Sequence, residues 1–330
     1  MDITKDFTTS FNELRKHKVI IMPTLLSLII SAILMLAFFY ISGLYEKSAH
    51  LIKLSQQYNA EKENYLSQNR NFADKNYTLE FINYIGQTDD YKKGFSNYLE
   101  ARGYDWKTFL SLINTRNITL FIVILFIILF TSFYLSCMSF ALITLNIKNK
   151  DLSLSNTINL THKFLLSLVS LRVLTIFIIG IPIILGIAIL IPLYFINGLL
   201  GGIFTFFFII ASIAYIIFVA LRLFFATPIM FIEEKSAFDS LKFSYNITKL
   251  HLKQVFVIGA IIYGISLLMN SFGGSPLYES FVGLLTNGSA AKLIITILIA
   301  IIFLILESFI SAFENMFFFY AYIDFRKVIK

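Results

Sequence analysis

The chain has 330 residues, of which 57% are hydrophobic and only 14% charged, with a mean hydropathy of +0.77. A soluble domain of this length cannot bury so much apolar surface, so composition points to an all-α, polytopic membrane protein. The formal charge of +7 suits either nucleic acid or basic cytoplasmic loops, and the single Cys137 excludes an intrachain disulfide or a thiolate metal site.

In chain order, residues 1–44 read as an amphipathic approach, DFTTSFNELRKHKVI from Asp6, and a first span, Val19–Leu44. That apolar stretch is too long for a signal h-region, and no small-residue cleavage site follows it, so a retained helix is expected. Residues 45–117 form an outward-facing helical insertion with ten basic and nine acidic side chains. Helical spacing is found in Leu51–Leu66, Tyr77–Tyr84 and Tyr91–Ala101, with a turn at Gly86–Asp90. Tyr77, Tyr84, Tyr91 and Tyr98 recur every seven residues, as expected of tyrosines packing at the seams of a small cap.

Residues 118–330 carry the remaining runs, each near the ~20 residues a helix needs to cross a bilayer. They are Ile118–Leu145, Val173–Ile196, Ile203–Phe231, Gln254–Met269 and Leu293–Tyr322. Polar-amphipathic approaches precede the third and fifth spans, from Ser153 and from Ser236. The pattern is then six spans as three hairpins, each preceded by an interfacial helix. In the last approach Phe238, Leu241, Tyr245 and Leu252 share a face, beside a basic stripe of Lys242, Asn246, Lys249 and Lys253. A helix lying in the headgroup plane has this make-up.

Lys and Arg gather in the N-terminal segment, after the second span, after the fourth span and in the tail. The turn Asn197–Gly202 has none, and Asn270–Lys292 has only Lys292. Both termini are therefore expected in the cytoplasm, with 45–117 outside. The basic excess is thereby assigned to loops on one face, and nucleic acid is not an expected partner.

The stretch LRLFFATPIMFIEEKSAFDSLKFSYNITK, Leu221–Lys249, resembles the signature of a poorly characterised group of prokaryotic six-span proteins. In that group an aromatic-rich helix ends in a Pro–hydrophobic–Glu elbow followed by a short helix. The ending AYIDFRK, Ala321–Lys327, is similar to the group's terminal Tyr-x-Asp-x-Arg. Related membrane domains are fused to some glycerophosphodiester phosphodiesterases. The resemblance implies architecture and marks Pro228, Glu233 and Glu234 as a cytoplasmic elbow. Phosphodiesterase activity does not carry over, because in such proteins it belongs to a separate barrel for which this chain has no room.

No Walker loop, HExxH, GxSxG or paired-Cys spacing occurs. His17, His50, His162 and His251 are scattered, so no metal, cofactor or catalytic group is expected. Pro23, Pro182, Pro192 and Pro228 each fall in a spanning run, with Pro228 the expected hinge of the fourth.

The last span, by contrast, carries ionisable residues. Glu307, Ser311 and Glu314 share one helical face, with Ser308 and Asn315 alongside. At 1.5 Å per residue, Glu307 lies roughly 21 Å in from Leu293, Glu314 roughly 31 Å, and Arg222 roughly 28 Å down the fourth span. An ionisable group at mid-membrane costs at least ~2.5–3.5 kcal/mol without a partner. The expectation is a buried network of Arg222, Arg172, Glu314 and Glu307, with Ser311 and Asn315, tying three spans together. The function expected is that of a membrane-organising or accessory protein. Its inner helices would meet anionic lipid headgroups or a membrane-protein partner. The alternative is a small-solute or ion-coupled transporter using Glu307.

Overall fold

The computed structural model describes residues 3–68, 113–267 and 290–329, and among these the chain is helical with no strand. The Tyr77–Tyr98 stripe and most of Asn270–Lys292 lie outside the described residues. In order, the helices are α1 (Ile3–Lys16), a 3-10 turn (Lys18–Ile21), α2 (Met22–Ile41), α3 (Leu44–Gln68) and α4 (Thr115–Ile147). There follow α5 (Leu154–Ile196), α6 (Gly198–Arg222), α7 (Ala226–Ile232), α8 (Ala237–Leu250), α9 (Leu252–Leu267) and α10 (Ala290–Ile329). Five helices among the described residues are long and apolar enough to cross a membrane. A sixth span results if α8 and α9, which meet at 110°, are taken as one bent crossing. The chain is accordingly membrane-embedded and multi-pass in build.

Two compact units are formed. One is made of Ile29–Phe130 and Phe272–Phe303. Within it, Gly43 takes a φ of 75° in the turn that ends α2, a left-handed conformation that glycine adopts without strain. Asn117 of α4 donates to the Ser42 carbonyl at 3.2 Å, and Phe38 packs on Phe121 with centroids 5.3 Å apart.

The other unit comprises Met1–Leu28, Thr131–Ser271 and Leu304–Lys330. Its core centres on α7, where every residue from Ala226 to Phe231 is buried. Phe231 meets Phe140 of α4 and Phe164 of α5 at 5.6 and 5.0 Å. Just before α7, Phe225 meets Phe318 and Phe325 of α10 at 5.9 and 5.0 Å. Helix α1 packs its Phe7 and Phe11 on Phe313 and Phe309 of α10. That places the apolar edge of α10 against protein.

Three expectations about segment boundaries change. The approach from Ser153 is not a separate interfacial helix: Ser153 caps a single helix of 43 residues that runs to Ile196. At 1.5 Å per residue this is ~65 Å, about twice the ~30 Å of a hydrocarbon core. No Gly or Pro interrupts the sequence between the approach and the span, and the helix continues through Ser170. Its N-terminal half buries Thr157, Thr161, Phe164, Leu168 and Leu171, a three-and-four spacing that sets one stripe against the unit. The other approaches do end: α1 at Lys16 before His17, and α8 at His251.

Pro228 is not the hinge either. The break in the fourth span lies before it, at Leu223–Phe225, and the chain leaves the helix only at Glu233. Pro228 occupies the first turn of α7, where its missing N–H costs nothing. Pro23 likewise stands in the first turn of α2 and interrupts no span.

Pro182 does sit inside α5 and deprives the Ile178 carbonyl of its helical donor. The Tyr215 hydroxyl of α6 donates to that carbonyl at 2.7 Å. Tyr215→Phe is expected to leave the carbonyl unpaired and lower stability by ~1–2 kcal/mol. Thermal unfolding of the purified protein in detergent measures this, and a midpoint equal to wild type would contradict the assignment.

Candidate functional site

The elbow after α7 joins four helices through two adjacent carboxylates. Glu233 is the C-cap of α7, its N–H bonded to the Ile229 carbonyl. Its Oε1 accepts from the Tyr322 hydroxyl at 2.7 Å and lies 3.0 Å from Arg326 Nε. Glu234 has a φ of 55°, which turns its side chain away from that of its neighbour. Its two oxygens pair with Lys148, just past α4, at 2.8 Å and with Lys163 of α5. A carboxylate at the negative end of a helix is locally unfavourable; the three cations offset this. Tyr322 and Arg326 belong to the terminal Tyr-x-Asp-x-Arg, and Glu233 to the Pro–hydrophobic–Glu elbow. Two motifs 89 residues apart in the chain are thus bonded to each other.

The expected network of Arg222, Arg172, Glu314 and Glu307 is not assembled. Glu314 accepts from the Ser266 hydroxyl of α9 at 2.7 Å, Glu307 stands exposed on α10, and Arg172 is exposed on α5. Ser311 and Asn315 are half-buried beside them. Equal depth fixes one coordinate only, and the rotation of each helix directs these side chains to other neighbours. The partner Ser266 carried no signal in the sequence, because a serine in an apolar run is silent until the facing helix is known.

Arg222 is buried, with 8% exposure. Its guanidinium carbon lies 4.9 Å from the Phe218 ring and 4.9 Å from the Tyr245 ring of α8. Its Nε and Nη1 have no hydrogen-bond partner. The Arg222 carbonyl is served instead: Ser244 Oγ and Thr248 Oγ1 of α8 both donate to it at 3.0 Å. Ser244 Oγ also accepts from the Phe225 N–H at 3.2 Å. The buried face of α8, through Ser244 and Thr248, thereby replaces helical bonds lost between α6 and α7. The outward face presents Phe238, Lys242, Tyr245, Asn246 and Lys249. A cavity of about 320 Å³ lies against Arg222, between α5, α6 and α8.

A cation in the last turn of α6 complements the helix dipole, which accounts for its sign but not for its burial. Ring faces attract the charge, yet they do not supply the acceptors that two buried N–H donors require. Leaving such donors unpaired costs ~1–3 kcal/mol each. Among the described residues, no three His, Cys, Asp or Glu side chains gather in a way that would hold a metal ion. Compared with protein families, curated proteins and solved structures, the chain has no match.

Bonding to Lys148 and then Lys163 holds Glu234 down at about 2, below the ~4.3 of an unperturbed glutamate. A carboxylate depressed in the folded state adds stability above its unfolded value and loses it as pH falls toward the folded one. With 41% of the side chain exposed, solvent screening keeps this at ~1 kcal/mol or less. Wild type is therefore expected to lose up to that amount more than Glu234→Gln between pH ~4.3 and about 2, read from unfolding midpoints. Parallel losses in both proteins would refute the assignment. On the other oxygen cluster, Glu233→Gln and Arg326→Gln are expected to be non-additive by ~0.5 kcal/mol or more in a double-mutant cycle.

Proposed function

We propose that this chain is a multi-pass cell-membrane protein of the membrane-organising or accessory kind. Its six spans form three hairpins, with both termini, α1 and α8 on the cytoplasmic face and residues 45–117 outside. Its partners are the anionic headgroups of that leaflet and, through the same face, another membrane protein. The kinship with the six-span group stated above belongs to the same proposal. What carries the reading is α8: one face is bonded to α6 and α7, while Phe238, Lys242, Tyr245 and Lys249 are left outward. An aromatic and basic surface at the end of an apolar helix suits headgroups and adjoining acyl chains.

The test uses the full chain reconstituted in bilayers of mixed phosphatidylglycerol and phosphatidylcholine. Spin-labelled lipids are expected to report enrichment of the anionic lipid around the protein. Lys249→Gln with Lys253→Gln should lower that enrichment by at least half, and equal enrichment in the two proteins would refute the reading. Orientation is checked with single cysteines in a Cys137→Ala background: Lys150→Cys and Lys327→Cys should react only with reagent supplied from the cytoplasmic side.

A second reading, ion-coupled transport, is favoured by Glu307, which stands exposed in the apolar length of α10 between Leu306 and Ser308. If Glu307→Gln in proteoliposomes leaves proton flux at the wild-type rate, that reading is lost.

A further inference from the structure

We infer that the cavity between α5, α6 and α8 seats one anionic membrane lipid, its phosphate held by Arg222 and its acyl chain laid along Leu174, Ile178 and Phe218. This deepens the lipid-engaging reading above and rests on it.

Four observations converge. First, the side chain at the closed end is a cation more than nine-tenths buried, and two of its in-plane N–H donors are unused. A guanidinium carries several N–H donors in one plane with its charge, and a phosphate supplies both the negative charge and the acceptor oxygens they require. Second, none of the residues lining the cavity is acidic, and Lys242 adds a second positive charge at its edge. The nearest carboxylate on α8, Asp239, already accepts from Ser236 Oγ at 2.6 Å, and Glu314 is engaged by Ser266. Among the described residues, none brings an acid to this cation.

Third, the remaining wall is apolar, from Leu174 and Ile178 of α5 to Leu241 of α8, and a volume of about 320 Å³ falls at the lower end for ligand sites. A free inorganic anion would satisfy the guanidinium and leave this wall wet. An anion carrying an alkyl chain satisfies both. Fourth, Phe218 also lines a neighbouring cavity of about 640 Å³ between α6 and α9, apolar except for Lys253, so a two-chain lipid can straddle it. Phe238 and Phe218, 66% and 42% exposed, provide the edge over which the chains leave.

The same hydroxyls that hold α8 down position the site. Ser244 and Thr248 grip the Arg222 carbonyl and so fix the residue whose side chain the lipid would meet. Loss of the lipid would then be felt by α8 as a whole.

The experiment is titration of the full chain, purified in a non-ionic detergent, with dioctanoyl phosphatidylglycerol, dioctanoyl phosphatidylcholine and inorganic phosphate. Native mass spectrometry counts the bound molecules. One saturable phosphatidylglycerol per chain is expected, bound at least tenfold tighter than phosphatidylcholine, and Arg222→Gln should weaken it at least tenfold. Unchanged binding by Arg222→Gln overturns the proposal. Displacement by inorganic phosphate at concentrations comparable to the lipid also overturns it, since the site would then hold a small anion only. Should Arg222→Gln fail to fold, Ile178→Trp blocks the apolar end with the guanidinium intact, and lipid retained in that variant refutes the seat. Lys249→Gln alone, at a residue that lines neither cavity, separates the two lipid readings. It should lower enrichment at the bilayer surface and leave the single bound lipid; loss of that lipid on this change, with retention in Arg222→Gln, overturns the seat alone.

Discussion

Two adjacent glutamates that point apart hold the end of α7 to α4, α5 and α10. Glu233 closes α7 and takes the last turns of α10 through Tyr322 and Arg326; Glu234, turned left-handed, takes Lys148 and Lys163. A non-glycine residue in that conformation costs ~1–3 kcal/mol unless its surroundings require it, and two lysines on one carboxylate are such a requirement. The seven-residue helix between Phe225 and Glu233 is too short to be stable alone. It persists because its rings pack on α4, α5 and α10 while its end is fastened by charge. Remove the fastening and the aromatic contacts lose the register that makes them mutual.

The same economy of polar groups recurs wherever a helix breaks. Without water nearby, a backbone carbonyl or N–H released by a proline or a turn needs a donor or acceptor from protein. Tyr215 supplies one to Ile178. Ser244 and Thr248 supply Arg222 and Phe225. In each case the provider stands on a different helix, so each break also fixes the angle and position of a neighbour. The guanidinium of Arg222 is the exception, since its charge meets rings while two of its donors meet nothing.

Apolar runs were legible in the sequence because hydropathy over ~20 residues needs no tertiary knowledge. Lys and Arg counts and the amphipathic face of α8 were readable for the same reason. Continuity of α5 from the approach into the span was legible in principle, since no Gly, Pro or Asn stands between Phe164 and Ile179; its passage through Pro182 and Pro192 was not. The partners of Arg222 and Glu314 were not legible. Depth along a helix follows from counting residues, but which neighbour a side chain meets depends on rotation about the axis, which packing decides. Thus Glu314 finds Ser266 and Arg222 finds Phe218 and Tyr245. The Glu233–Tyr322 bond could have been sought, since both residues belong to the quoted motifs, but nothing local to either one indicates the other.

Arg222 is buried and Glu307 exposed, and these settings ask for different chemistry. Glu307 is exposed on the surface of its helix. Arg222 is buried, and its guanidinium brings several N–H donors together with its charge. A cation that is buried, flanked by rings and left with open donors is stable only if its surroundings supply negative charge. The lining supplies none, and a bilayer can supply it in one form, an anionic headgroup whose chains match the apolar wall. On that reasoning the residue that best expresses the protein's relation to its membrane is the arginine, and the carboxylates of α10 are secondary to it.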